Sequence, residues 1–396
     1  MQSYMLKTVL VGALAVVALD LSGCQRFKTV KAEEKKPAKL IKIDNAISVL
    51  TPVTSVSLPK GNARIKKGEY KKADTPDLQI AVLQDGFIAA NRFGAVTAYQ
   101  NNAPIWSVNV GGLIISGVGI DDAQTLAVVG TRDGKVFAID TKTHEIRWQK
   151  TLPSSSITPS LISENRVMIS ANDGVIYALD TKTGEQVWQF NTQTPLVSVR
   201  GTALPLSLDK NTAVFGTADG RIHAINPELG KPLWTRRIGF AVGGSQVNRM
   251  GDVDGKPLVV GHHLYAASYS GQLLAFDMTT GQTIFTEKLA STKALDALGS
   301  LLVGSDIQGN VVAFDRITGQ QQWINNQLKY RKLTNPVAIG SYIAVGDSMG
   351  VVHIFDDAGK IVGRTQVKGQ LVSLHAKDGR LYTQTTDNKV MIWQFK

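Results

Sequence analysis

Residues 251–257 read GDVDGKP, placing two carboxylates, Asp252 and Asp254, one residue apart ahead of a glycine. Acids in a glycine-bounded stretch suit a calcium loop, an acidic contact with another protein, or a turn whose carboxylates bond its own amides. The calcium reading fails on spacing. An EF-hand loop needs further oxygen donors and a glutamate at its twelfth position, and counted from Asp252 that position is His263. The six histidines (His144, His223, His262, His263, His353 and His375) show no His-x-x-x-His spacing, and a single cysteine, Cys24, allows no Cys-x-x-Cys pair. His262 and His263 open a predicted strand, where adjacent side chains face opposite ways. Neither a Gly-x-Ser-x-Gly elbow nor a phosphate loop is present. No metal site, cofactor or catalytic residue is expected, so the two aspartates must be judged by their place in the fold.

That place is set by an internal repeat. The stretches 136–150 (VFAIDTKTHEIRWQK), 176–190 (IYALDTKTGEQVWQF), 222–236 (IHAINPELGKPLWTR), 273–287 (LLAFDMTTGQTIFTE) and 311–325 (VVAFDRITGQQQWIN) align without gaps. A worn copy at 352–366 and a copy with a shorter turn at 96–108 extend the series. Asp140, Asp180, Asn226, Asp277, Asp315 and Asp356 are followed eight residues later by Trp148, Trp188, Trp234, Phe285, Trp323 and Arg364. Alternating apolar residues flanking an Asp-x-x-Thr-Gly turn predict a hairpin, with the Asp side chain bonding turn amides and the Gly supplying positive φ. Runs such as AVFGTA and YIAVGD add a strand upstream, and a further short strand fits before each, making four per unit. The anchor residues recur every 38 to 51 positions, close to the period of a propeller blade. An eighth copy at 381–395 lacks an outer strand, which residues 47–58 are expected to supply. The predicted fold is all-β: an eight-bladed β-propeller of four-stranded blades over 47–396. The repeated Trp is expected between neighbouring blades, where burial is worth on the order of a few kcal/mol.

The chain before residue 47 reads differently. Lys7, an apolar run from Thr8 to Leu19, and then Leu21-Ser22-Gly23-Cys24 predict a signal peptide over 1–23. This resembles a bacterial lipobox, which implies cleavage before Cys24 and lipidation of that residue. Gln25, where Asp would signal inner-membrane retention, implies the periplasmic face of the outer membrane. Residues 24–46 would then be a tether. The net charge of +11 is concentrated nearby: residues 25–72 hold thirteen Lys and Arg against four acids. That excess suits either attraction to anionic lipid or a solvated tether. With few aromatics in the basic stretch, a nucleic-acid partner is not expected.

The blade spacing singles out one region. From Trp188 to Asn226 and from Trp234 to Asp277 the chain runs 38 and 43 residues, against 30 to 34 in the other intervals. The extra residues are expected between the outer strand of one blade and the inner strand of the next, so both loops should emerge side by side on one face. Adjacent loops on a rigid scaffold are good partner sites. The first loop carries Val197, Val199 and Arg200, and the second ends in GDVDGKP. Apolar residues and an Arg beside acids suit a protein contact. Equally, Arg200 and the aspartates could pair with one another, or the acids could only order turns.

The Ala-x-Asp-x-x-Thr-Gly-x-x-x-Trp repeat resembles that of pyrroloquinoline quinone dehydrogenases and that of the BamB family, the propeller lipoproteins of outer-membrane β-barrel assembly. The dehydrogenases hold their quinone with calcium ligands and a catalytic Asp, and many add a disulfide that a chain with one cysteine cannot form. In the BamB family the corresponding loops carry Leu-Ser-Leu-Arg-Gly and Asp-Val-Asp, matched here by Val197-Ser198-Val199-Arg200-Gly201 and Asp252-Val253-Asp254. That resemblance implies a non-enzymatic scaffold binding BamA POTRA domains through Val197, Val199, Arg200, Asp252 and Asp254. It further implies the other lipoproteins of the complex as partners, and unfolded outer-membrane protein clients met at exposed strand edges. The alternatives are a periplasmic quinoprotein-like dehydrogenase and a propeller that binds an envelope polymer.

Overall fold

The computed structural model describes residues 35–64, 78–193, 203–239 and 251–396. Among them the strands form eight four-stranded antiparallel sheets. Seven sheets take four consecutive strands each, and the eighth joins Leu371–Lys377, Arg380–Thr385 and Lys389–Phe395 to Leu50–Ser57 as its outer strand. Leu50 pairs with Phe395 and Ser57 with Lys389, so the ring closes by the N-terminal strand expected from residues 47–58. We number the blades one to eight from Ala81–Val82 onward.

The repeat forms hairpins because its turn bonds to itself. Oδ1 of Asp180 accepts the amides of Lys182 and Thr183 at 2.8 and 3.0 Å, and Asp140, Asn226, Asp277 and Asp315 do the same in their turns. A bulge follows in the fourth strand, beside the pair that sets a small Ala opposite the bulky aromatic: Ala138 faces Trp148, Ala178 faces Trp188 and Ala313 faces Trp323. Each ring then lies on the turn of the following blade. Trp148 packs on Gly184 and donates its Nε1–H to Thr181 O at 3.0 Å; Trp188 meets Gly230 and donates to Pro227 O at 2.8 Å. Phe285 sits on Gly319 and Trp323 on Gly359 in the same way. In blade two the turn carries His144 at φ 63, and its ring stacks on Trp106 at 5.6 Å.

The core is correspondingly divided. One apolar cluster fills each interface between blades, including Val56, Phe87, Tyr99 and Tyr382 where blade eight meets blade one. Blade seven departs from the pattern. Its turn, Asp356 to Gly359, is one residue shorter than Asp315 to Gly319, and the register moves by one. Gly363, and not Arg364, therefore faces Ile354 at the place of the missing aromatic. The backbone of Ile47 lies against that place: its N–H donates to Val362 O at 2.9 Å, and its carbonyl would stand 2.6 Å from a Cβ on Gly363. Residues 37–46, read from sequence as the end of the tether, belong to the same compact unit as the blades. Ala38 N–H donates to Lys329 O, and Ile43 packs on the cluster between blades six and seven.

Candidate functional site

The two long connections lie where the spacing placed them. Residues 192–205 link the outer strand Gln186–Asn191 to the inner strand Leu206–Asp209, and 238–257 link Pro232–Arg237 to Leu258–Val260. The same connection runs four to ten residues at 110–113, 152–160, 289–295, 326–335 and 367–370, while 58–80, from the outer strand of blade eight into blade one, is long as well. Because strands alternate in direction, all such connections emerge on one face, and these two flank blade four. Val197, Val199 and Arg200 lie outside the described residues, as does Cys24.

GDVDGKP is described, and it is not an exposed acidic tip. It is the stem by which the second loop re-enters the disk. The Gly251 carbonyl lies against Gly239 and Gly220, where side chains would not fit. Asp252 is fully buried and Asp254 is 8% exposed. The Val253 N–H donates to Thr217 O in blade four, and Asp252 O accepts the Tyr269 N–H of blade five at 2.9 Å. This pair of bonds recurs: Ile114 and Leu113 make it between blades one and two, and Ser291 and Ala290 between blades five and six. Asp252-Val253 is thus the local copy of a backbone staple between blades, with Val253 filling the apolar cluster behind it.

Beyond the staple the chain lines the axis of the ring. A cavity of about 300 Å³ is walled by residues from all eight blades, among them Gln79, Thr158, Asp254, Lys256, Lys293 and His375. Lys256 reaches into this channel, and its partial enclosure by protein holds its ammonium pKa below the usual lysine range against the pull of Asp296. Burial raises the Asp296 carboxyl, opposed by the amides of Ala338 and Ala297 at 2.7 and 2.8 Å. Among the described residues no three His, Cys, Asp or Glu side chains gather as a metal site. The sequence reading missed the channel groups because isolated polar residues in the connections leading into the inner strands have no periodic signature.

The geometry is matched by known proteins. A family model described as "Outer membrane protein assembly factor BamB" matches residues 92–325. BamB of Salmonella typhimurium is 32% identical over 398 residues, spanning 97% of this chain and 98% of that protein. The crystal structure of BamB from Moraxella catarrhalis is 49% identical, with a TM-score of 0.82 over 88% of this chain and 100% of that one.

The chain belongs to the BamB family.

Its relatives are named as outer membrane protein assembly factors. The quinohemoprotein alcohol dehydrogenase of Comamonas testosteroni shares the fold alone, at 13% identity and a TM-score of 0.63 over 87% of this chain and 76% of that one. The loops flanking blade four lengthen two successive connections of this propeller, and the GDVDGKP stem ties the second of them to the blade interface.

Proposed function

We propose that this BamB-family chain is a non-enzymatic scaffold of outer-membrane protein assembly, anchored by lipid on Cys24 at the periplasmic face of the outer membrane. It docks onto the POTRA domains of BamA with the face that carries the two long connections. Val197, Val199 and Arg200 supply apolar and cationic contacts, while Asp252 and Asp254 act by ordering the stem of the second loop. The observation that carries this reading is the pairing of two extended connections on one face of a closed, rigid ring, in a chain whose family is that of an assembly factor.

The test is binding of the mature chain to purified BamA POTRA domains, with circular dichroism confirming the fold of each variant. Arg200→Glu is expected to abolish binding and keep the fold. Unchanged binding by Arg200→Glu would refute the docking face, and absence of binding by the wild type would refute the partner.

A further inference from the structure

The segment leading into the propeller is held by a buried charged circuit. Asp347 and His353 are fully buried and Arg331 is 4% exposed. Arg331 Nε donates to Asp347 Oδ2 at 2.6 Å, and His353 Nε2 lies 2.9 Å from the same oxygen. Arg364 Nε donates to His353 Nδ1 at 3.2 Å. A guanidinium can only donate, so Nδ1 is the acceptor and the imidazole is neutral with its proton on Nε2. Both arginines then spend a further N–H on the N-terminal segment: Arg331 Nη1 on Ala38 O at 2.9 Å and Arg364 Nη1 on Ile41 O at 2.6 Å.

This circuit decides what residues 38–42 display. With two carbonyls turned inward, Leu40 and Ile41 are left 38% and 60% exposed, between the exposed Lys39 and Lys42. Buried Arg331 and half-buried Arg364 thus hold an apolar pair and two cations outward on the rim. The segment begins against Lys329 and Arg331, in the connection from blade six to blade seven. That connection emerges on the face carrying the two long loops, so residues 38–42 lie at the edge of that face.

We propose that Lys39, Leu40, Ile41 and Lys42 form a contact site for the surface of an anionic phospholipid bilayer. Charge complementarity and chain length favour this occupant. Twelve residues separate Cys24 from Pro37, five of them Lys or Arg (Arg26, Lys28, Lys31, Lys35, Lys36) against two acids. Fully extended, that link spans at most about 45 Å, so a lipid on Cys24 keeps the rim near the bilayer, where each cation adds to binding and apolar side chains enter the headgroup boundary. The proximity rests on the lipid-anchored reading above; the contact itself does not need it.

The test uses the mature chain as Cys24→Ser/Ile41→Cys, which leaves one thiol for an environment-sensitive dye. Phosphatidylcholine vesicles containing phosphatidylglycerol are expected to shift the dye emission to the blue, and vesicles of phosphatidylcholine alone are not. Lys39→Gln/Lys42→Gln should weaken that binding about thirty-fold, and high salt should abolish it. No blue shift on phosphatidylglycerol vesicles, binding unchanged by the lysine substitutions, or a shift appearing only with POTRA domains would overturn the proposal. Palmitate incorporation at Cys24 in cells is measured separately. A lipidated chain whose unlipidated form ignores vesicles refutes the rim contact alone, and a chain that binds vesicles but is not lipidated refutes the anchor alone.

Discussion

The interlock between an aromatic and the next blade's turn predicts a measurable coupling. Trp148 is 8% exposed, donates to Thr181 O, and rests on Gly184 so closely that a Cβ there would lie 2.6 Å from its Cδ2. Trp148→Ala loses that burial and leaves a cavity, at about 3–5 kcal/mol. Gly184→Ala meets two penalties. The backbone sits at φ 73, where a side chain costs about 1 kcal/mol, and the methyl overlaps the indole, costing about 1–3 kcal/mol more. In the Trp148→Ala background only the backbone penalty remains. The double variant should therefore be more stable than the sum of the single ones by about 1–3 kcal/mol. Urea unfolding followed by circular dichroism measures each term, and the Phe285–Gly319 pair should repeat the result. Penalties that add within about 0.5 kcal/mol would refute the interlock as the link between blades.

Other outcomes follow from the same contacts. Arg147 first, then the turn amides, holds the Asp140 carboxyl below the usual range, and turn amides do the same for Asp180, Asp277 and Asp315. Depressed folded values mean that this stabilisation is complete above the unfolded value of about 3.9 and fades as pH falls through the folded ones; thermal midpoints should drop below about pH 4, and less steeply once all four are Asn. Burial, then the bond to Asp173, pushes the Tyr177 phenol up to about 12, so ultraviolet titration should lose its latest tyrosine transition in Tyr177→Phe. Arg331→Met strips a partner from buried Asp347 and should cost about 3–5 kcal/mol. It should also speed hydrogen exchange at the Ala38 and Ile47 amides, whereas unchanged exchange would separate the circuit from the anchoring of residues 38–47.

The blades were legible because their chemistry is local. An Asp bonding amides two and three residues on, a Gly at positive φ and an aromatic eight positions later are all written within fifteen residues of chain. The closure at Leu50–Ser57 was legible by subtraction, since the eighth copy lacked an outer strand. Arg364 was misplaced because one residue lost from the Asp356 turn shifts the register, which counting along the chain does not register. The docking of residues 38–42 could not be found by pattern: their partners lie about 290 residues away, and they join them through carbonyls that every residue type possesses.

The aspartates of GDVDGKP show a different limit. Acids in a long connection look exposed in a sequence, yet Asp252 is fully buried because its backbone staples blade four to blade five. Leu113 and Ala290 accept the corresponding amides elsewhere in the ring, so the staple does not require a carboxylate, and a carboxylate carries a desolvation cost that those residues avoid. Asp252→Ala should therefore keep the propeller closed, with the Tyr269 and Val253 amides still protected from exchange. If POTRA binding fails in that folded variant, the side chain acts on the loop stem; if amide protection is lost instead, position 252 is a structural member of the blade interface and its part in docking is refuted.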